Sequence, residues 1–354
     1  VTTATSPTRP TIIDQGRPSP LPEPRGEASQ ALLKQLRERP GAMVDLPLPT
    51  DDPLTGEDAP LALYLCYELH YRGLEDIDDT WEWDPALLAH RAQLERAFEE
   101  RVRDEVGRLP AGFDLADELW ALAPQEPDPG MLAVRMATEG TWPQLVELTV
   151  QRSAYQRKEA DPHTWALPRL AGDPKARLVH IQADEYGEGV TADMHAGLFG
   201  MSMQRMGLDP TYGAYLDHIP GVTLSTVNLI SLFGLHRRHR GALIGHLSGF
   251  EMASVIPMTQ YAKALRRLGA DDWVCLFYDT HVVADASHQF EALEMAQSLV
   301  DQDPSLAPDV LFGARALAAV EGEFSSHIRA AFDAGRTSLR REIDLPPQPD
   351  RIQG

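Results

Sequence analysis

Apolar residues recur along most of the chain with the period of an α-helix. Over residues 85–109, Leu87, Leu88, Leu94, Phe98 and Val102 fall at spacings that suit one helix face, with charged residues between them. The same period predicts helices over residues 29–39, 60–72, 142–158 and 173–186. A glycine-broken segment follows, through Met206, and shorter helical pieces cover 210–216 and 223–235. Two long helices come next, over 240–268 and 271–302, the first with a kink expected at Pro257. A last helix over 308–341 closes the pattern. Alternating β-branched runs are nearly absent, and no Asn-Gly or Asp-Gly pair offers a hairpin turn. The predicted fold class is all-α.

The ends break the pattern. Residues 1–27 are rich in Pro, Thr and Ser and read as a disordered tail, and 343–354, with three prolines, reads as a flexible one. Residues 28–342 are then expected to form a single helical domain, with 74–160 as an added helical segment. The formal charge of -21, from 53 acidic and 32 basic residues, repels nucleic acid and anionic membranes, and neither is expected as a partner. The basic run His236-Arg237-Arg238-His239-Arg240 is the local exception. It reads first as a solvated patch and second as a pocket for a substrate carboxylate. Cys66 and Cys275 each sit in an apolar run and read as buried thiols of a reduced, cytoplasmic protein. No signal peptide is visible, and no apolar stretch reaches the ~18 residues that span a bilayer.

Candidate chemistry changes this bland picture. His281, Asp285 and His288 are spaced i, i+4, i+7, which places them within about 60° on one helix face. Imidazole and carboxylate together suit iron, manganese or zinc. A polar outer stripe is the plain alternative, but Leu276, Phe277, Val282 and Val283 make the surroundings apolar. Glu185 and His195 lie ten residues apart, with Gly187 and Gly189 between them. A break there would let both side chains converge; equally, the glycines could separate two unrelated helices. Glu251 sits among small and apolar residues, where a carboxylate needs a metal or a basic partner. Glu68 interrupts the most apolar helix and could ligate a metal or pair with Arg72 at i+4.

Residues 157–289 resemble the haem-oxygenase-like di-metal oxidases, often labelled iron-containing redox enzymes. The resemblance is carried by Asp161-Pro-His-Thr-Trp, Pro168-Arg-Leu, Asp184-Glu-Tyr-Gly, the Leu-Phe-Gly-Met run at 198, Gly207-Leu-Asp-Pro-Thr-Tyr, Gly241-Ala-Leu-Ile-Gly-His and His281…Asp285…His288. It extends more loosely over 56–342. It implies the up-down helical bundle of haem oxygenase, with extra N-terminal helices and no haem. It also implies a ligand set of Glu68, Glu185, His195, Glu251, His281, Asp285 and His288 around two Fe(II)/Fe(III) ions. Four buried carboxylates would need four compensating charges, which two ferrous ions supply. A ferritin-like bundle normally carries paired Glu-x-x-His motifs, and the sequence has none.

Glu185 or Glu251 is the expected carboxylate bridge. Asp184, Tyr186, His246 and Tyr278 are expected either to orient the ligands or simply to pack. The glycine break at 187–189 predicts a mobile segment that orders with metal. The implied activity is that of a non-haem diiron oxidase or oxygenase using O₂. Its expected substrate is a small molecule of natural-product biosynthesis, preferably an amino-acid-derived amine or acid undergoing N-oxygenation or oxidative C–C cleavage. An external electron donor and a homodimer are expected partners, with the 74–160 stretch as a lid or dimer surface. A helical metal-binding or interaction protein without turnover, and a cofactor-free protein of the same fold, are the alternatives.

Overall fold

A computed structural model describes residues 16–41 and 45–349. Among these residues the chain is helical with no strand, in agreement with the all-α expectation. Helix α1 (Glu27–Leu36) and helix α2 (Asp58–Glu68) are started by acids at their N-terminal amides. Asp58 accepts from Ala28 and Ser29 of α1, and Asp51 accepts from Glu57, Asp58 and Ala59 at the head of α2. Asp84 caps α3 (Pro85–Val106), and Asp114 caps α4 (Leu115–Leu122). Then follow α5 (Leu132–Thr138), α6 (Trp142–Gln156), the single turn α7 (Asp161–Thr164), α8 (Gly172–Glu185) and α9 (His195–Arg205). The last four are α10 (Gly221–Leu235), α11 (Arg240–Arg267), α12 (Asp272–Gln302) and α13 (Ala307–Asp333).

Three expectations need correction. Residues 210–216 form turns, not a helix. The last helix stops at Asp333, where Gly335 takes a left-handed φ of 62° that ends it. Helices α4, α5 and α7 fall in stretches too short to show a period. Pro257 lies inside α11 without ending it. Parts of the expected tails pack on the body. Ser19 is fully buried and bridges to Leu74, and Arg25 pairs with Glu57 at 2.8 Å. At the other end, Trp142 donates to the Pro346 carbonyl at 3.1 Å. Residues 1–15 and 350–354 of the expected tails lie outside the described residues.

Helices α2 and α10 are apolar on nearly every side, so they lie inside: all of 59–68 and 221–234 is buried. Helix α11 packs along both α12 and α13, and α12 packs also on α8 and α9. The approach of α11 to α13 is close because glycines face it. A Cβ on Gly245 would lie 1.8 Å from the Val310 carbonyl oxygen, and one on Gly313 would lie 1.9 Å from that of Ala242. Four of the five residues of the basic run at 236–240 are paired with acids. His236 reaches Glu95, and Arg238 and His239 reach Glu99, which ties the α10–α11 corner to α3, while Arg240 reaches Asp303 at the end of α12. Arg237, the fifth, is exposed. Among the described residues, no helix is long and apolar enough to cross a membrane.

Candidate metal centre

Four parts of the chain meet between α8, α9, α11 and α12. On α12, His281, Asp285 and His288 turn their shared face inward and are buried, while Val283 on the opposite face is 76% exposed. Helix α11 brings Glu251, also buried, against them. Helix α8 ends at Glu185, and the chain then reverses. Gly187 and Gly189 adopt left-handed φ of 64° and 79°, and a Cβ on Gly187 would lie 2.6 Å from the Asp193 and Met194 backbone. Helix α9 therefore starts at His195, whose Nδ1 comes to 2.9 Å from Glu185 Oε2. The fourth part is the turn between α6 and α7, which supplies Glu159. Its Oε2 is 3.5 Å from His281 Nε2.

The donors form two overlapping sets. Glu159, Glu185, His195 and His281 each offer an atom within 4.8 Å of the others. Glu185, Glu251 and His288 do the same, so Glu185 belongs to both. Asp285 stands beside them, its Oδ1 3.9 Å from His288 Nδ1. Between the side chains lies a void of about 10 Å³, lined by Glu159, Glu185, Glu251, His281 and Asp285, room for roughly one water-sized sphere.

Neighbouring groups point the donors. His281 Nδ1 donates to the Phe277 carbonyl at 2.8 Å, which aims Nε2 at the cluster. Asp184 Oδ2 lies 3.3 Å from His288 Nε2, which turns Nδ1 toward Glu251 at 3.4 Å. Ser254 donates to Asp285, and Gln156, with its amide turned, donates to Glu159 at 2.6 Å.

The electrostatics show what the cluster lacks. Burial pushes the Asp285 carboxyl up to about 8, and Glu251 adds to it. Burial, then Glu185, raises Glu251 as well. Burial opposes a charge on each histidine, but the carboxylates outweigh it: His288 rises to about 9, and His195 and His281 rise too. Positive charge is therefore favoured here, and in its absence protons are retained. Glu185 Oε2, His195 Nδ1, His281 Nε2 and His288 Nδ1 are buried and have no hydrogen-bond partner, for the short approaches among them lack hydrogen-bond geometry. Cations held in the two donor sets would satisfy these four atoms, and oxygen-rich ligation with some imidazole suits iron.

Comparison with known families agrees. Residues 146–322, half of the chain, match the model of the iron-containing redox enzymes. The chain belongs to this family. No curated protein matches it in sequence. The matched span of this iron-containing redox enzyme holds every donor of the cluster, from Glu159 to His288.

Six of the seven residues in the expected ligand set come together: Glu185, His195, Glu251, His281, Asp285 and His288. Glu68 does not. It is fully buried at the end of α2, where it accepts from Lys158 Nζ at 2.7 Å and from the Tyr212 hydroxyl at 2.7 Å and 2.9 Å. Glu68 is thus committed to an ion pair, and with Lys158, not with the Arg72 that helix spacing suggested. Glu159 is the donor that sequence reasoning missed. It follows Arg157 and Lys158, and such a charged triplet after a helix reads as solvated, yet all three are buried. Only its place inside the resembling stretch could have drawn attention to it.

Of the four residues expected to orient ligands, Asp184 alone contacts one. Tyr186 donates to Asp161 at 2.9 Å, and His246 faces His163 at 3.2 Å. Tyr278 lines a larger cavity of about 1040 Å³ that also includes Gln156, Phe250, Ser254 and Phe277.

Proposed function

We propose that this iron-containing redox enzyme is a non-haem diiron oxidase that acts on a small molecule. The observation that carries the reading is the doubled donor set with Glu185 in common. Glu159, His195 and His281 would hold one iron, Glu251 and His288 the other with Asp285 beside them, and Glu185 would bridge. The charge count supports this: Glu159, Glu185, Glu251 and Asp285 carry four negative charges when ionised, and two ferrous ions balance them. The ions would supply the electrons that reduce O₂.

The protein's own part is to hold, orient and exclude. Phe277, Asp184, Ser254 and Gln156 fix the donors, and the burial of the cluster keeps bulk water from it. The larger cavity adjoins the cluster through Gln156, Phe250, Ser254 and Phe277 and is otherwise lined largely by apolar side chains such as Leu122, Leu148, Met258 and Leu317. This supports a substrate with an apolar body. Arg152 at its wall is held by Glu321 in a two-pronged pair at 2.7 Å and 2.6 Å, so its charge is already met. An amino-acid-derived amine or acid would enter with its apolar side chain along this lining, for N-oxygenation or oxidative C–C cleavage. An external electron donor completes the reading.

Anaerobic loading with Fe(II), elemental analysis and then exposure to O₂ test it. Two ions per chain and a transient visible band, whose decay hydrophobic amines or acids accelerate, are expected. Iron that oxidises slowly without such a band, whatever is added, would indicate storage without turnover; a chain that takes up no iron would be a cofactor-free protein of this fold.

A further inference from the structure

Tyr155, on the last turn of α6, has no role in the account so far. It is 5% exposed, stacks on Phe250 with ring centroids 5.2 Å apart, and lines the small void together with Glu159, Glu185, Glu251 and Asp285. Its hydroxyl oxygen is buried and has no hydrogen-bond partner. Buried tyrosines normally place that group on an acceptor, because leaving it orphaned is costly. Acceptors are near: Glu159, Glu321, Glu251 and Glu185 all act on it electrostatically, yet it bonds none. A tyrosine O–H can donate as well as accept. Phe250, on which it stacks, lines both the void and the larger cavity.

We propose that the Tyr155 hydroxyl donates a hydrogen bond to a small anionic ligand bound to the metal pair on the side of the cluster that Tyr155 lines. The inference rests on the metal reading above. It gives the orphaned hydroxyl an acceptor that the protein alone does not provide. A hydrogen bond to a charged acceptor is among the stronger kinds.

The test is an azide titration of the iron-loaded, air-oxidised protein, followed by its visible charge-transfer band, for wild type and Tyr155→Phe. The variant should keep the wild-type iron content and bind azide about tenfold more weakly. Freed of its iron, it should melt no lower than metal-free wild type, because the deleted hydroxyl had no protein partner. Azide affinity within twofold of wild type, or a lower melting temperature of the metal-free variant, would overturn the assignment. Wild-type protein that elemental analysis shows to be without iron would overturn the metal reading beneath it, an outcome visible before any azide is added.

Discussion

Replacing Glu68 by Gln separates a ligand from a structural ion pair. Glu68 and Lys158 are buried together at 2.7 Å, and Tyr212 donates to the same carboxylate. Removing the negative charge strands the Lys158 ammonium, which costs about 3–5 kcal/mol when a buried pair loses one partner. Lys158 also lies 4.1 Å from the centroid of the Tyr71 ring and 5.1 Å from that of Tyr64. Those rings offset about 1 kcal/mol of the loss, because cation–π attraction survives the substitution. The net is a destabilisation of about 2–4 kcal/mol, or on the order of 3–6 °C in Tm for a chain of this size. Iron content should not change, because the void is lined without Glu68. Thermal unfolding and elemental analysis of the same preparation read both quantities. The double variant Glu68→Gln/Lys158→Met should regain most of the stability, since it removes both charges. A single variant that loses iron while keeping its Tm would refute this account of Glu68 and return it to the ligand set.

Other consequences concern the cluster and the helix packing. Glu159→Ala should lower bound iron from two ions per chain toward one, while wild-type content in that variant would remove Glu159 from the centre. The metal-free protein should lose stability as pH rises. His288 holds its proton up to about 9 against an ordinary 6.5, and Asp285 holds its proton to about 8 against 3.8. The unfolded chain releases both protons at lower pH, so their contributions erode as pH climbs through those values. Iron displaces the protons, so the gap in Tm between loaded and metal-free protein should widen from pH 6 to 9 in anaerobic melts, and a gap that narrows would contradict the charge argument. Gly245→Val puts side-chain atoms where the Val310 carbonyl lies 1.8 Å from a Cβ, so α11 and α13 must part. A loss of about 3 kcal/mol or more is expected in chemical unfolding, and a loss within 0.5 kcal/mol would show that the contact is soft.

The helices were legible because each is long enough to show its period, and the missed ones, α4, α5 and α7, run eight residues or fewer. The inward face of α12 was legible for the same reason: spacing along one helix determines which side chains share a side. Convergence of Glu185 with His195 could only be left open, because it depends on two glycines taking left-handed φ. The partner of Glu68 was not legible at all. Lys158 is ninety positions away in sequence, and no local pattern says that a lysine will be buried. Glu159 was hidden by the same charged triplet, whose burial is a property of the assembled fold. The cluster still carries four carboxylates, because Glu159 stands in it where Glu68 was expected.

X-ray absorption at the iron edge, on protein loaded to saturation, tests the shared Glu185 most directly. A carboxylate common to both donor sets holds the ions as a pair, so an iron–iron distance of roughly 3.5–4 Å is expected, and Glu185→Ala should abolish that scattering. Saturated protein with no iron neighbour near each iron, or a pair that persists unchanged without Glu185, would contradict the account.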